Sequence, residues 1–415
     1  MSGRTSLRGS SRIFEIISTF LGLNQASPSW YSARLWLLRI GYYKLFRKKE
    51  IADDWIWIID HTIQSGNEKC LVILGIRQSS LPLGELYLDH EEVEPIAMFP
   101  VNKSNGEVVY RQLEQTVKET GVPRQIISDH GTDVKSGIER FCREHNQTCF
   151  IYDIKHKVAS ILKRELKDDQ DWCMFVKQAS KTSKRVQQTH LAHLAPPNQR
   201  SKARYLNLDK LVKWGRDMLC YLDYRQVEQG DQSEFKKINE KLGWLNDYRK
   251  ALIQWQELID VVKSAESYIK FVGIYRDSHI DLAEQLDAPL ETDRAIRIRH
   301  ELIDFIYHLS LNAKKDERLL GSSEIIESAF GKLKSLEQDQ SKSGFTGMLL
   351  SLASIVSTTT EDVIKKALES IPTKKVSEWL KENIGQSVQS RKKKVLSIVH
   401  EQEQKWDQKM AAFEV

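Results

Sequence analysis

Apolar residues follow two different spacings in the first part of the chain. Over residues 10–50 they recur at helical intervals, which predicts two or three short helices. From Trp55 onwards they form short continuous runs, WIWIID at 55–60 and CLVILGI at 70–76. Such runs, rich in branched and aromatic residues, are typical of buried strands. A helical segment is therefore followed by the start of a sheet.

Strands and helices alternate in the next stretch of the chain. The pattern predicts, in order, a strand within 93–101, a helix after Gly106, a short strand within 124–133, a helix from Val134, a strand at 149–154 and a helix up to Leu166. No helix fits between Asp60 and Cys70, so a doubly wound parallel sheet is excluded. The order is that of a ribonuclease H-like α/β fold, whose mixed five-stranded sheet opens with three antiparallel strands.

No strand pattern is found from about residue 170 to 315, where apolar residues predict an array of helices. An amphipathic helix is predicted at 316–336, and further helices at 344–400. The length of 415 residues allows one core with a large insertion. We predict a helical N-terminal segment (1–50), a first part of the core (51–168), an all-α insertion domain (169–315), a second part of the core with the catalytic helix (316–372) and a helical, basic C-terminal tail (373–415).

The composition is that of a globular protein with a weak preference for polyanions. The net charge is +5 and the isoelectric point is about 8.7, and a basic cluster, Arg47 to Lys49, is either a DNA contact or a solvated helix end. Five cysteines form no CxxC pair, which argues against structural zinc, and their odd number argues against a disulfide framework. No apolar run reaches the roughly 18–20 residues that span a bilayer, and no signal peptide is recognised, so we expect a cytoplasmic protein without membrane contact.

Two acids stand at the ends of predicted strands and are candidate metal ligands. Asp60 ends an otherwise apolar run, and Asp129 repeats this pattern in IISDHGTD, with His130 and Asp133 as nearby alternatives. A single acid at such a place is more often a cap or loop residue than a ligand. Two divalent ions about 3.5–4 Å apart, however, require carboxylates from several rigid elements. The pair therefore predicts two ligands of such a site.

A third acid is sought in SSEIIESAFGKLK at 322–334. Glu327 lies at the edge of the apolar stripe of this helix, and Glu324 lies one turn earlier and is the alternative ligand. Lys334 follows Glu327 by seven residues, on nearly the same face, where its ammonium group is suited to a DNA phosphate. Lys332 and, after the fifth strand, His156 are further candidates for phosphate contacts. Taken alone, the spacing slightly favours an exposed, ion-rich helix over a catalytic one.

Strand-terminal Asp60, strand-terminal Asp129 and a helix reading I-E-S-A-F-G-K-L-K together resemble the DDE transposases of bacterial insertion sequences. The resemblance covers roughly 55–165 and 316–360. The helical region between these segments resembles the insertion domain that such enzymes carry between the second and third acids.

One large group of these enzymes has a Tyr-Arg-Glu-Lys signature. Glu327 with Lys334 is similar to its Glu-x6-Lys part, whereas Ser323 stands in the place of its arginine and Leu320 in the place of its tyrosine. The three acids are therefore matched more closely than this subgroup signature is.

The resemblance implies an endonuclease and strand-transfer activity in DNA recombination. Water activated by two Mg²⁺ or Mn²⁺ ions would cleave a strand at the transposon end, and the freed 3′-hydroxyl would attack target DNA. It also implies Asp60, Asp129 and Glu327 as catalytic metal ligands, DNA as partner, a homodimer on paired ends, and association with the nucleoid. Two alternatives stay open: a catalytically inactive DNA-binding protein derived from a transposase, and a ribonuclease H-like nuclease without strand transfer.

Overall fold

The computed structural model describes residues 5–23, 25–65, 68–198, 208–227, 232–338, 348–384 and 388–413. The strands in these ranges are β1 (Trp55–Ser65), β2 (Glu68–Arg77), β3 (Glu94–Val101), β4 (Gln125–Ser128) and β5 (Cys149–Tyr152). The helices up to the end of the sheet region are α1 (Leu7–Phe20), α2 (Trp30–Phe46), α3 (Gly106–Thr120), α4 (Thr132–Glu144) and α5 (Ile154–Leu166).

The rest of the described chain is helical. The next six helices are α6 (Gln170–Val186), α7 (Leu208–Val227), α8 (Gln232–Leu242), α9 (Arg249–Val272), α10 (Ser278–Gln285) and α11 (Asp293–Ser310). The last five are α12 (Glu324–Gln338), α13 (Ser351–Ile355), α14 (Glu361–Ser370), α15 (Thr373–Asn383) and α16 (Val388–Phe413). In the ranges that the structure describes, no helix is both long enough and apolar enough to cross a membrane.

The five strands form one mixed sheet in the order β3-β2-β1-β4-β5. β2 is antiparallel to both β1 and β3, whereas β4 runs parallel to β1. The first three strands are therefore consecutive antiparallel neighbours, and the chain then crosses through α3 to the other side of β1. This topology confirms the predicted ribonuclease H-like α/β fold with helical segments.

One face of the sheet packs against α3 and α4. Trp57 and Ile59 of β1 lie in a buried cluster with Ile126 of β4 and with Val109 and Phe141 of the two helices. Side chains alternate between the faces of a strand. His61 is therefore directed to the same face as Ile59, towards α3 and α4. Asp60, which lies between them in the strand, is directed to the opposite face.

The other face of the sheet is covered as well, since Ile56 and Ile58 are fully buried. α12 packs against β1, and α2 packs against β3 and α13. A Cβ atom at Gly41 of α2 would lie 1.9 Å from the carbonyl oxygen of Leu350, so only glycine allows this approach between backbones. The helical segments on both sides of the insertion in sequence thus contribute to the same core.

The basic cluster at the end of α2 is neither a solvated helix end nor an open DNA contact. The Arg47 guanidinium lies 2.5 Å from a carboxylate oxygen of Glu94, and Lys49, with only 4% of its side chain exposed, lies 3.3 Å from the other oxygen. Lys48 alone is exposed. Two of the three charges therefore serve the interior of the fold.

The chain divides into two compact units. Unit 1 comprises residues 1–83, 87–151 and 323–415, and unit 2 comprises 84–86 and 152–322. Unit 2 thus contains α5 as well as the helices of the predicted insertion at 169–315. The two compact units do not test the predicted division of the chain into five segments, which stays a prediction.

Tryptophan and phenylalanine side chains form the core of unit 2. Phe175 lies at the centre, with ring centroids 5.6 Å from Trp244 and 5.2 Å from Trp255. The indole N–H of Trp244 donates to Thr182 Oγ1 at 3.0 Å, and that of Trp214 donates to the carbonyl of Leu194 at 3.1 Å. These tryptophans therefore pack helices together.

The helix predicted at 316–336 begins only at Glu324, so the first eight residues of that prediction are wrong. Asp316 has a φ of 60°, which ends any helical path at this point. Leu319 instead forms an antiparallel bridge with Ile274. A Cβ atom at Gly321 would lie 2.3 Å from Ile269 Cγ2, so the backbone is held close to α9 in an extended form.

Candidate active site

Asp60 and Asp129 lie at neighbouring positions of the sheet. Ile59 of β1 is paired with Ser128, the last residue of the parallel strand β4, and each acid is the next residue in its chain. Neighbouring strands lie about 4.8 Å apart. Ile59 faces α3 and α4, so alternation within β1 directs Asp60 to the opposite face. Asp129 lies beyond the last residue of β4, close enough to His61 to act on the pKa of its ring. α12 packs against β1.

Asp129 directly follows the last residue of β4, but Asp60 lies within β1, which continues to Ser65 and pairs Asp60 with Val72 of β2. The prediction that Asp60 ends its strand is therefore wrong. Pairing between β1 and β4 does end at Ile59 and Ser128, and we call Asp60 and Asp129 the strand-end acids in this sense only. A backbone amide donates to each of the two carboxylates. The N–H of His61 donates to Asp60 Oδ1 at 2.6 Å, and the N–H of Gly131 donates to Asp129 Oδ1 at 3.1 Å. A Cβ atom at Gly131 would lie 3.2 Å from the same oxygen of Asp129, so a larger residue would compete with this hydrogen bond.

Asp133, which the sequence pattern left open as an alternative to Asp129, belongs to a polar cluster on the α3 and α4 side. Its carboxylate accepts a hydrogen bond from Lys69 Nζ at 3.0 Å, and Oδ2 lies 3.7 Å from His61 Nδ1. Ser104 Oγ lies 3.4 Å from His61 Nε2. We call His61, Lys69, Ser104 and Asp133 the β1–α4 clamp, because they tie β1 to the first turn of α4.

The charges of the clamp shift the pKa values of its own members. Burial raises the pKa of Asp133, but hydrogen bonds from Lys69 and Ser104 and the nearby His61 outweigh this and bring its pKa to about 2. Burial lowers the pKa of His61, and Lys69 acts in the same direction, against the attraction of Asp133. Asp133 is therefore a charged anchor. His130, the other alternative, has its ring 5.4 Å from that of Phe150.

α12 presents its two candidate ligands in its first turn, where Glu324 and Glu327 are both half-buried. The predicted apolar stripe of Ile326, Phe330 and Leu333 is buried. Negative charge in the first turn is favoured by the helix dipole. The position of Glu327 at the edge of the stripe therefore agrees with the sequence prediction, and the choice between the two glutamates stays open.

The predicted phosphate-binding residues have different surroundings. Lys332 and Lys334 are exposed on α12, and Lys332 Nζ lies 3.3 Å from His90 Nδ1. His156 belongs to unit 2, where its backbone N–H donates at 2.9 Å to Asp153, the N-cap of α5. Asp153 thus has a structural role, and the DNA contacts of the other three residues stay predictions.

The candidate ligands suit magnesium or manganese, because Asp60, Asp129 and either Glu324 or Glu327 offer hard carboxylate oxygens. Asp60 and Asp129 also meet the requirement that two ligands come from neighbouring rigid elements. Within the described parts of the chain, however, no three His, Cys, Asp or Glu side chains stand close enough together to hold a metal ion. The geometry therefore supports a pair of strand-end ligands, and the metal assignment stays a prediction.

Sequence comparison with protein-family models finds no match for this chain. No curated protein sequence matches it either. Among solved structures the chain is similar to one from Drosophila described as the P element transposase strand transfer complex, with a TM-score of 0.38 and 11% identity, covering 88% of this chain and 93% of that one. Likeness at this level carries no argument about activity, and the fold assignment rests on the sheet topology.

The sequence patterns do not indicate most of the residues of the β1–α4 clamp. Lys69 and Ser104 come from β2 and from the segment after β3, and nothing in their local sequence indicates a role. His61 could have been suspected, since it follows the strand-end Asp60 and alternates with the core residue Ile59. The five cysteines are all free.

Proposed function

We propose that this protein is a DNA transposase of the DDE type, which cleaves transposon ends and joins the 3′-hydroxyl ends to target DNA. One observation carries the proposal: Asp60 and Asp129 each follow one of two paired residues, Ile59 and Ser128, on neighbouring parallel strands, and α12 packs against the first of these strands. Ribonuclease H-like enzymes need such a pair of strand-end acids and a third acid from a helix. Glu327, with Glu324 as the alternative, is the candidate third acid.

The residues divide the work by position. Asp60, Asp129 and Glu327 would hold Mg²⁺ or Mn²⁺, and the ions, when bound, supply the activation of water and the neutralisation of charge on the phosphate. The amides of His61 and Gly131 orient the two strand-end carboxylates. Lys332, Lys334 and His156 are proposed to bind the sugar-phosphate backbone, to which lysine offers a point charge.

The finer parts of this assignment rest on the sequence resemblance. They comprise membership of a bacterial insertion-sequence family, two metal ions, a homodimer on paired ends and a location at the nucleoid. A second candidate is a catalytically inactive, transposase-derived DNA-binding protein, which is favoured by the lack of a ready three-ligand cluster among the described residues. A nuclease without strand transfer is distinguished by its products.

The test combines metal binding with DNA chemistry. Mn²⁺ binding to the protein alone is measured by calorimetry, and cleavage and joining are measured with DNA that flanks the coding region and a supercoiled target plasmid. Asp60→Asn and Asp129→Asn should weaken Mn²⁺ binding by about tenfold or more and abolish both products. Asp53→Asn is the control, since Asp53 is exposed beside β1.

The outcomes separate the candidates. Joined products that require both strand-end acids support a transposase, and cleavage without joining of supplied pre-cut ends supports a nuclease. DNA binding with no Mn²⁺ binding and no product supports the inactive protein. Glu324→Gln and Glu327→Gln identify the third ligand, because only one of them should lose activity completely.

A further inference from the structure

The C-terminal helix α16 is fully exposed where its side chains are described. Every residue from Lys392 to Gln404 is exposed, and so is Trp406. The large apolar residues among them have exposed fractions of 59% for Val395, 55% for Leu396, 50% for Ile398, 44% for Val399 and 70% for Trp406. The described part of the chain therefore leaves this apolar surface uncovered.

The apolar residues of α16 fall on one stripe. Val395, Val399 and Trp406 are separated by four and seven residues, and Leu396 and Ile398 flank this line on either side. A stripe with this spacing is typical of a helix that packs along another helix. α16 has 26 residues, or about 39 Å of helix. The stripe covers the part of this helix from Val395 to Trp406. Helices without a packing partner derive little stability from propensity alone, so an exposed stripe on a helix of this length indicates a partner helix.

Charges are segregated between Lys392 and Gln404 of α16, although Lys405, Asp407 and Lys409, which follow this stretch, are of mixed sign. Lys392, Lys393 and Lys394 precede the centre of the apolar cluster, and Glu401 and Glu403 follow it. Two parallel copies would bring the lysines of one helix beside those of the other. Two antiparallel copies would bring the lysines of each helix beside the glutamates of its partner, and opposite charges across such a seam favour that orientation.

We propose that α16 is a self-association surface, on which a second copy of this chain binds through its own α16 in the antiparallel orientation. The helices cross near Ser397 and Ile398. Leu396 then packs opposite Val399 of the partner subunit, so the apolar cluster is buried against itself. Lys394 and Lys392 lie opposite Glu401 and Glu403 of the partner subunit. A second copy of α16 is the partner that this pattern fits, because in the antiparallel orientation its apolar residues meet apolar residues and its lysines meet glutamates.

This inference does not rest on the transposase chemistry, since the surface carries none of the proposed metal ligands. The oligomeric state of the full chain is measured by sedimentation velocity, without DNA or metal. Wild type should form a dimer. Leu396→Asp with Val399→Asp should weaken the dimer by at least about tenfold, because two charges would enter the apolar seam. Ile253→Asp, at an exposed apolar position of α9, is the control and should leave the dimer intact.

Charge exchange tests the orientation. Lys392→Glu with Lys394→Glu should weaken the dimer, and so should Glu401→Lys with Glu403→Lys, because each places like charges opposite each other. The four changes together should restore wild-type affinity at low salt. A parallel pair would be unaffected by the first exchange. A monomeric wild type, an unaffected apolar double variant, a monomer that binds anionic vesicles through α16, or a combined variant that fails to recover would each overturn the proposal.

Discussion

Asp133→Asn removes the charged anchor of the β1–α4 clamp and keeps nearly the same shape. The Asp133 carboxylate, 15% exposed, accepts from Lys69 at 3.0 Å and lies 3.7 Å from His61 Nδ1. Burial raises the pKa of Asp133, but the hydrogen bonds from Lys69 and Ser104 outweigh it and lower the pKa from 3.8 to about 2. The amide cannot carry this charge. Lys69 would lose its ion pair, and β1 would lose one of its contacts with α4.

The magnitude follows from the pKa of Asp133. A shift of one unit corresponds to about 1.4 kcal/mol, so the clamp contributes about 2 kcal/mol to the free energy of unfolding at neutral pH. Because the folded-state pKa lies below the unfolded value, this contribution is fully present above about pH 4 and is lost as the pH falls through about 2. Burial also lowers the pKa of His61. Asp133 acts in the opposite direction on the pKa of His61, so the titration of His61 also enters the difference between variant and wild type. The part of the difference that is lost below about pH 4 reports Asp133 itself.

Urea unfolding of wild type and Asp133→Asn between pH 7 and pH 2.5 measures this difference. We expect about 2 kcal/mol at pH 7 and a difference that shrinks steadily below pH 4. Glu139→Gln on the same helix is the control, since its carboxylate is 47% exposed and pairs with Lys135 at 3.7 Å. Its effect should stay below about 0.5 kcal/mol. A difference at pH 7 no larger than that of the control, or one that does not change with pH, would refute the reasoning.

Three further predictions concern the packing of unit 1 and its strand-end acids. Lys44→Met should lower the free energy of unfolding by about 2–4 kcal/mol in urea titrations, because Lys44 Nζ donates to the carbonyls of Val356 and Ser357 and to Thr359 Oγ1 at 2.6–2.8 Å; exposed Lys48→Met should change it little. Gly41→Ala should lower the melting temperature, because the new Cβ atom would overlap the Leu350 carbonyl, whereas Gly331→Ala, with nothing within 4 Å, should raise it. Gly131→Ala should weaken Mn²⁺ binding with little loss of stability, since the Cβ atom would crowd Asp129 Oδ1; unchanged Mn²⁺ affinity would remove Asp129 from the proposed site.

The sheet could be predicted from the sequence because its strands bury both faces. β1 and β2 therefore appear as continuous apolar runs, Trp55 to Ile59 and Cys70 to Ile76, with no polar interruption. Asp60 and Asp129 are visible because each is the first charge after a buried apolar run. Such a charge does not have to end the strand, since β1 continues past Asp60 to Ser65, paired with β2. Order along the chain then restricts the topology to very few arrangements.

The start of α12 could not be predicted in the same way. Leu319 and Leu320 extend the apolar spacing of the helix towards its N-terminus, and periodicity alone counts them as helical. The backbone there is held by a partner far away in sequence, through the bridge between Leu319 and Ile274. Backbone pairing between distant segments leaves no trace in local spacing, so the boundary is visible only in three dimensions.

The roles of charged residues are the least predictable feature, and the reason is the same dependence on distant partners. Lys44, Arg47 and Lys49 contribute to the excess of positive charge that suggests a polyanionic partner, but Lys44 and Lys49 are buried, and Arg47 is paired with Glu94. Much of the positive charge on this part of the chain is therefore neutralised within the fold. Evidence for DNA binding has to come from exposed lysines such as those of α12, whose charge is still available to a phosphate.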